Sequence, residues 1–253
     1  MIYAKKSLGQ NYLIDANIIK KIISLRNIYN KHVLEIGPGK GALTNEILKK
    51  NPKSLILIEK DDLLFEELKL RYKKNSKITI FNDDILKFNL EEKIEKKSII
   101  FGNLPYNISS QILVKFLKFN KWPPKYSDLI LMFQKEMAER IIGNFGSTKY
   151  GRLSILRNYR LNILNKFNIS PNCFFPKPKI ISSVLHFEPK KKITIKLKKI
   201  ENLEKITSLL FSGKRKMINK NIKKIFKKSK IKMLKNLDLS LRPSNIRPEK
   251  YYE

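Results

Sequence analysis

The 253-residue chain holds one cysteine, two histidines and one tryptophan. A single thiol, Cys173, excludes an internal disulfide and fits a reducing compartment, so a cytoplasmic location is expected. His32 and His186 lie far apart, each within a strand-like run. With one cysteine between them they build neither a zinc site nor an evident nucleophile triad, and no metal is expected. No apolar run approaches the roughly 18 residues that a membrane span needs. Met1-Ile2-Tyr3-Ala4-Lys5-Lys6 lacks the apolar core of a signal peptide, so no membrane partner is expected. Acidic residues are also scarce. Asp and Glu number 22 against 54 Lys and Arg, a formal charge of +32. Lys outnumbers Arg 45 to 9, as an AT-biased composition would make it. Whatever its origin, that charge attracts polyanions, and nucleic acid is the expected partner.

What is present is an alternation of apolar runs and helical patterns, enough for one α/β domain and a small appendage. Ser98-Ile99-Ile100-Phe101 reads as a buried parallel strand and Ile108–Leu117 as a helix. Between them lies Asn103-Leu104-Pro105-Tyr106-Asn107, where open α/β sheets place ligands, at the carboxyl end of a strand. A nucleobase amino group is a poor nucleophile because its lone pair is delocalised into the ring. Two acceptors holding its N–H bonds turn the lone pair toward an electrophile. Asn103 can supply a side-chain oxygen and Leu104 a backbone carbonyl. Pro105 fixes the turn, and Tyr106 offers a face for an unstacked base. A plain strand-ending turn would also use Asn and Pro.

Three earlier strand ends repeat the pattern. His32–Ile36 runs into Gly37-Pro38-Gly39-Lys40-Gly41 and a helix over Ala42–Lys49, the layout of a nucleotide-type loop. Gly41 falls one residue early for G-x-G-x-x-G, which argues against a dinucleotide. Ser54–Ile58 ends at Glu59, either a surface carboxylate after a strand or an acid at the distance that reaches ribose hydroxyls. Lys77–Phe81 is followed by Asp84, either an Asx turn or an acceptor for an adenine amino group. Helices are expected over 62–72, 109–118, 134–142 and 150–160, with further strands at 127–133, 161–169 and 182–188, the last of these ending the sheet. Asp15 is the expected N-cap of a helix that follows a basic arm. Arg157 and Arg160 are expected on a solvated face. Phe174-Phe175 between prolines reads either as a stacking loop for a base or as an apolar plug. Residues 190–253 carry 21 Lys plus Arg and 5 Asp plus Glu, half of the excess charge. Their apolar positions, Ile206, Leu209, Leu210, Ile218, Ile222, Ile225 and Phe226, have helical spacing. The expected division is therefore 1–189 as a catalytic domain with a basic arm, and 190–253 as a helical, lysine-rich RNA-binding domain.

These residues resemble the ribosomal RNA adenine dimethyltransferases of the KsgA type. The resemblance rests on Leu8-Gly9-Gln10-Asn11-Tyr12-Leu13, Glu35-Ile36-Gly37-Pro38-Gly39-Lys40-Gly41, Asn103-Leu104-Pro105-Tyr106-Asn107-Ile108-Ser109, Gln134-Lys135-Glu136, Tyr150-Gly151-Arg152-Leu153-Ser154 and Phe174-Phe175-Pro176-Lys177-Pro178-Lys179. It implies a Rossmann-like S-adenosylmethionine-dependent methyltransferase sheet with an antiparallel last strand and a small all-helical C-terminal domain. It implies methylation of N6 of two adjacent adenosines near the 3′ end of small-subunit rRNA, with the small ribosomal subunit as partner. Carried over by motif, Asn11, Leu13, Gly37, Glu59, Asp84 and Asn103 bind the cofactor. Asn103, Leu104, Tyr106 and Phe174 act on the target, with Tyr106 and Phe174 sandwiching the base. The C-terminal module is only loosely similar to the family.

Three rivals remain open at this stage. A large-subunit methyltransferase of the erythromycin-resistance type is disfavoured by the arm and by Asn-Leu-Pro-Tyr-Asn-Ile-Ser. An assembly factor without catalysis is disfavoured by the intact cofactor motifs. A nicotinamide oxidoreductase is disfavoured by the short glycine loop. A monomer is expected, since no apolar stripe is left over.

Overall fold

The computed structural model describes residues 10–226, 231 and 237–253. Residues 5–9 of the expected basic arm lie outside the described residues, as do residues 227–230 and 232–236 of the C-terminal module. Two compact units form, one of residues 1–138 with 163–189, the other of 139–162 with 190–253.

The first unit is built on a sheet whose order is β4-β3-β2-β5-β6-β9-β7. The strands are β2 (His32–Ile36), β3 (Ser54–Glu59), β4 (Ile78–Asn82), β5 (Ser98–Gly102), β6 (Tyr126–Gln134), β7 (Leu161–Ile169) and β9 (Ser182–Pro189). Strands β2 to β6 run parallel, and β9 is antiparallel to β6. The central strands are near-continuous Ile, Leu, Val and Phe because helices cover both faces of a parallel sheet. Strand β9 does not end the sheet as expected. It lies inside, with β7 at the edge. Its burial shows why: Ser182 to Phe187 are all buried, which an edge strand does not require.

Local sequence explains the helices. In α1 (Ala16–Ser24) the Asp15 carboxylate caps the N-terminus, accepting from Asn17 and Ile18 N–H, and Ile19, Ile22 and Ile23 face the core. Asp61 caps α3 (Asp62–Tyr72) in the same way through Leu63 and Leu64. The helix α2 (Ala42–Lys49) follows the glycine loop that leaves β2, and the helix Ser109–Leu117 follows the Asn103 loop. A separate two-stranded ribbon pairs β1 (Tyr12–Leu13) with β8 (Phe174–Phe175), setting Tyr12 opposite Phe175 and Leu13 opposite Phe174.

The second unit joins residues 139–162 to 190–253. Its helix α7 (Arg152–Arg160) packs on the helices Ile200–Phe211 and Pro248–Tyr252. Tyr150 donates its hydroxyl to the Ile246 carbonyl at 2.9 Å, and Tyr252 donates to the Ile155 carbonyl at 3.1 Å. These buried bonds tie the end of the chain to 150–155, so a boundary drawn only at residue 189 divides one packed core. They also correct the solvated face expected for Arg157 and Arg160. Both are buried, 7% and 8% exposed, and the Arg157 Nε donates to the Ile141 carbonyl at 3.2 Å. A helix packed on two others has too little free surface to leave both arginines in water.

Candidate active site

Strand order reverses at β2, which has β3 on one side and β5 on the other. Loops leaving β2 and β5 diverge there, opening a crevice beyond the carboxyl ends of the strands. A cavity of about 460 Å³ occupies it. Gly37, Glu59, Asp84 and Asn103 all line it, so the four groups separately inferred at strand ends meet at one cavity.

The glycine loop is held from below. Gly37 N–H donates to the Ile58 carbonyl at 2.9 Å with φ at 63°. A side chain there would be strained in the left-handed region. At Gly39, also left-handed, a Cβ would stand 3.0 Å from the Tyr12 ring, which lies against the loop. Gly39 N–H points at Glu59 Oε2 at 3.0 Å, and Asp61 N–H at Oε1 at 2.9 Å. Glu59 is 6% exposed, and burial pushes its carboxyl above the usual range while the two N–H bonds pull it back. Each oxygen keeps acceptor capacity for a hydroxyl.

Asp84 accepts from Lys60 Nζ at 2.8 Å and from Leu86 N–H at 2.9 Å. The Lys60 bond holds its carboxyl below the ordinary value. One buried acid was not singled out from the sequence. Glu35, 1% exposed, lines the cavity and accepts from the Thr44 hydroxyl at 2.6 Å. Burial raises its pKa to about 8. Its sequence signal is a lone acid inside the apolar run Val33-Leu34-Glu35-Ile36. Glu35, Glu59, Asp83 and Asp84 line the cavity, and among the described residues its bases are Lys40 and Lys60. This lining offers acceptors to a ligand that carries hydroxyl and amino groups.

The arm closes one side. Tyr12 donates its hydroxyl to Gln10 Oε1 at 2.7 Å, and Gln10 Nε2 donates to Asp61 Oδ2 at 3.1 Å. Asn11 presents its backbone carbonyl to Asn103 Nδ2 at 2.9 Å. A carbonyl only accepts, so the bond assigns the Asn103 amide: nitrogen toward the arm, Oδ1 left to accept. Leu13 and Leu104, 3% and 2% exposed, line the cavity with apolar surface. Tyr106 is half-buried on the cavity wall. Phe174 is not brought to the cavity lining. It is 2% exposed and belongs to the core cluster with Leu13, whereas the next ring, Phe175, is 64% exposed. Among the described residues no group of acids, His and Cys could hold a metal ion, and no helix is long and apolar enough to cross a membrane.

Comparison with known proteins decides the family. The model of the ribosomal RNA adenine dimethylase family matches residues 1–253. The chain belongs to that family. It is 48% identical to the ribosomal RNA small subunit methyltransferase A of Pelagibacter ubique, over 100% of this chain and 95% of that protein. The crystal structure of a dimethyladenosine transferase from Plasmodium falciparum superposes with a TM-score of 0.76 at 26% identity, covering 94% of each chain. The 23S rRNA methyltransferase ErmE shares the fold, with a TM-score of 0.68 at 21% identity, over 95% of this chain and 96% of that one. The Rossmann-like methyltransferase fold expected from the motifs is therefore the fold observed. As a ribosomal RNA adenine dimethylase the chain is an enzyme, and its substrate is ribosomal RNA.

Proposed function

We propose that this chain dimethylates N6 of two adjacent adenosines near the 3′ end of small-subunit rRNA, in the cytoplasm, with S-adenosylmethionine as donor. The observation that carries the reading is the oriented Asn103 amide at the head of an acid-lined cavity. The 48% identity to a small-subunit methyltransferase supports the choice of subunit.

The residues present fit that cofactor. A cavity of about 460 Å³ lies within the ordinary range for ligands of this size, roughly 300–1,000 Å³. Glu59 would hold the ribose hydroxyls and Asp84 the adenine amino group. Gly37 and Leu13 would give close backbone approach and apolar cover, and Asn11 would close the arm over the site. Bound S-adenosylmethionine supplies an electrophilic methyl group on a sulfonium.

Everything else is done by the chain. Asn103 Oδ1 and the Leu104 carbonyl accept the two N–H bonds of the target amine and so aim its lone pair. Tyr106 offers its ring to the extruded base. No strong base is required, because the methylated amine is itself strongly acidic and sheds its proton to solvent. Positioning supplies most of the rate. Lysines of residues 190–253 would hold the RNA backbone.

Isothermal titration tests the cofactor assignment. S-adenosylmethionine should bind wild-type protein at one site, and Glu59→Ala should weaken it by at least tenfold. Equal binding by both proteins would remove Glu59 from the site.

A further inference from the structure

We propose that Ser182 is a positioning residue that aims the Tyr106 ring at the target base. The inference rests on the reading of Tyr106 as the stacking face. Tyr106 belongs to a loop, residues 103–108, and not to a regular element. A ring on a loop is free to swing unless both of its ends are tied. Its backbone end is tied: the Ser109 hydroxyl donates to the Tyr106 carbonyl at 3.1 Å. Its phenol end is tied to Ser182, Oη to Oγ at 2.6 Å.

Ser182 is itself a fixed point. It is 0% exposed and opens β9, where it pairs with Gln134 at the end of β6. The adjacent Ile181 carbonyl accepts from Lys135 N–H at 2.9 Å, so the backbone is held on both sides of the ladder's end. The loop that carries the ring is thereby referenced to the rigid sheet, 76 residues away in sequence. With its hydroxyl engaged by Ser182, Tyr106 is left to work through its face, as a stacking surface and not as a proton carrier. Such an anchor costs the loop conformational freedom before the base arrives, which is how preorganised sites gain rate.

The test is a double-mutant cycle on methyl transfer to unmethylated small subunits. Ser182→Ala should lower kcat by about three- to tenfold, the worth of one neutral hydrogen bond. Calorimetric affinity for S-adenosylmethionine should not change. Tyr106→Phe, which keeps the ring and removes the phenol, should fall by the same factor, and Ser182→Ala/Tyr106→Phe should fall no further. Wild-type kcat in Ser182→Ala would overturn the proposal. So would a double variant whose loss is the product of the single losses, since Ser182 would then act without Tyr106. A thermal melt accompanies each variant, and a kcat loss that tracks a lowered Tm would assign Ser182 to stability alone. If wild-type protein methylates no ribosomal RNA, the proposed function fails instead, which separates the two failures.

Discussion

The Asn103 side-chain amide donates from Nδ2 to the backbone carbonyl of Asn11 at 2.9 Å, across 92 residues of sequence. One bond does two things. It closes the arm against the cavity, and it decides which end of the amide is left to accept. Asn103→Asp tests both. An oxygen would then replace the nitrogen that faces an acceptor, and the two would repel. Methyl transfer should fall by roughly 10²- to 10³-fold, the range for losing an oriented polar group at a reacting centre. S-adenosylmethionine affinity should fall with it, because the arm is loosened. A variant with near-normal rate would show that the amide's orientation is immaterial.

Glu59 is held between two N–H donors, Gly39 at 3.0 Å and Asp61 at 2.9 Å. Glu59→Gln turns one acceptor into an NH₂ group and sets donor against donor. A buried N–H left without an acceptor costs about 1–3 kcal/mol. Urea unfolding should show a loss of that size, alongside weaker cofactor binding. Unchanged stability would mean that the glycine loop does not depend on this carboxylate.

Much of this was legible in the sequence, and the reason is local. Strands β2 to β5 are short apolar runs, each followed at once by a helix or a loop, so Gly37, Glu59, Asp84 and Asn103 could be placed at strand ends without knowing the fold. Parallel order then brings those ends together. The long-range contacts of the arm and of the Asn103 loop were not legible. Gln10 to Asp61, Asn11 to Asn103 and Tyr106 to Ser182 join residues 51, 92 and 76 apart. Nothing in a window of sequence records such pairs. The same limit hid the interior position of β9 and the burial of Arg157 and Arg160, which are consequences of packing and not of periodicity.

Glu35 gives the protein a pH dependence of stated sign. Its folded pKa, about 8, lies above the ordinary carboxylate value of 4.5. Between those values the folded state holds a proton that the unfolded state has released. The contribution is full below about pH 4.5 and is lost as pH rises toward 8, at roughly 1.4 kcal/mol per pH unit. Glu35→Gln keeps an acceptor for Thr44 and cannot ionise. Its Tm advantage over wild type should be absent near pH 5, grow through pH 7 and level off above pH 8. A difference that stays constant across that range would contradict the buried, protonated state.

In the second unit, Tyr150 is 2% exposed and its hydroxyl bonds the Ile246 carbonyl. Tyr150→Phe should cost about 1 kcal/mol, and Tyr150→Ala about 3–5 kcal/mol through the cavity it leaves. Denaturant unfolding monitored by tyrosine fluorescence reads both. Equal losses would show that the ring's volume adds nothing beyond the hydroxyl.

The role proposed for the oriented Asn103 amide is to direct methyl transfer to adenine N6 of small-subunit RNA. The most direct measurement incubates wild-type and Asn103→Ala protein with labelled S-adenosylmethionine and unmethylated small or large ribosomal subunits, then digests the RNA. The expected product is N6,N6-dimethyladenosine at two adjacent positions of small-subunit RNA, lost in Asn103→Ala. Label confined to large-subunit RNA, or undiminished in Asn103→Ala, would contradict it.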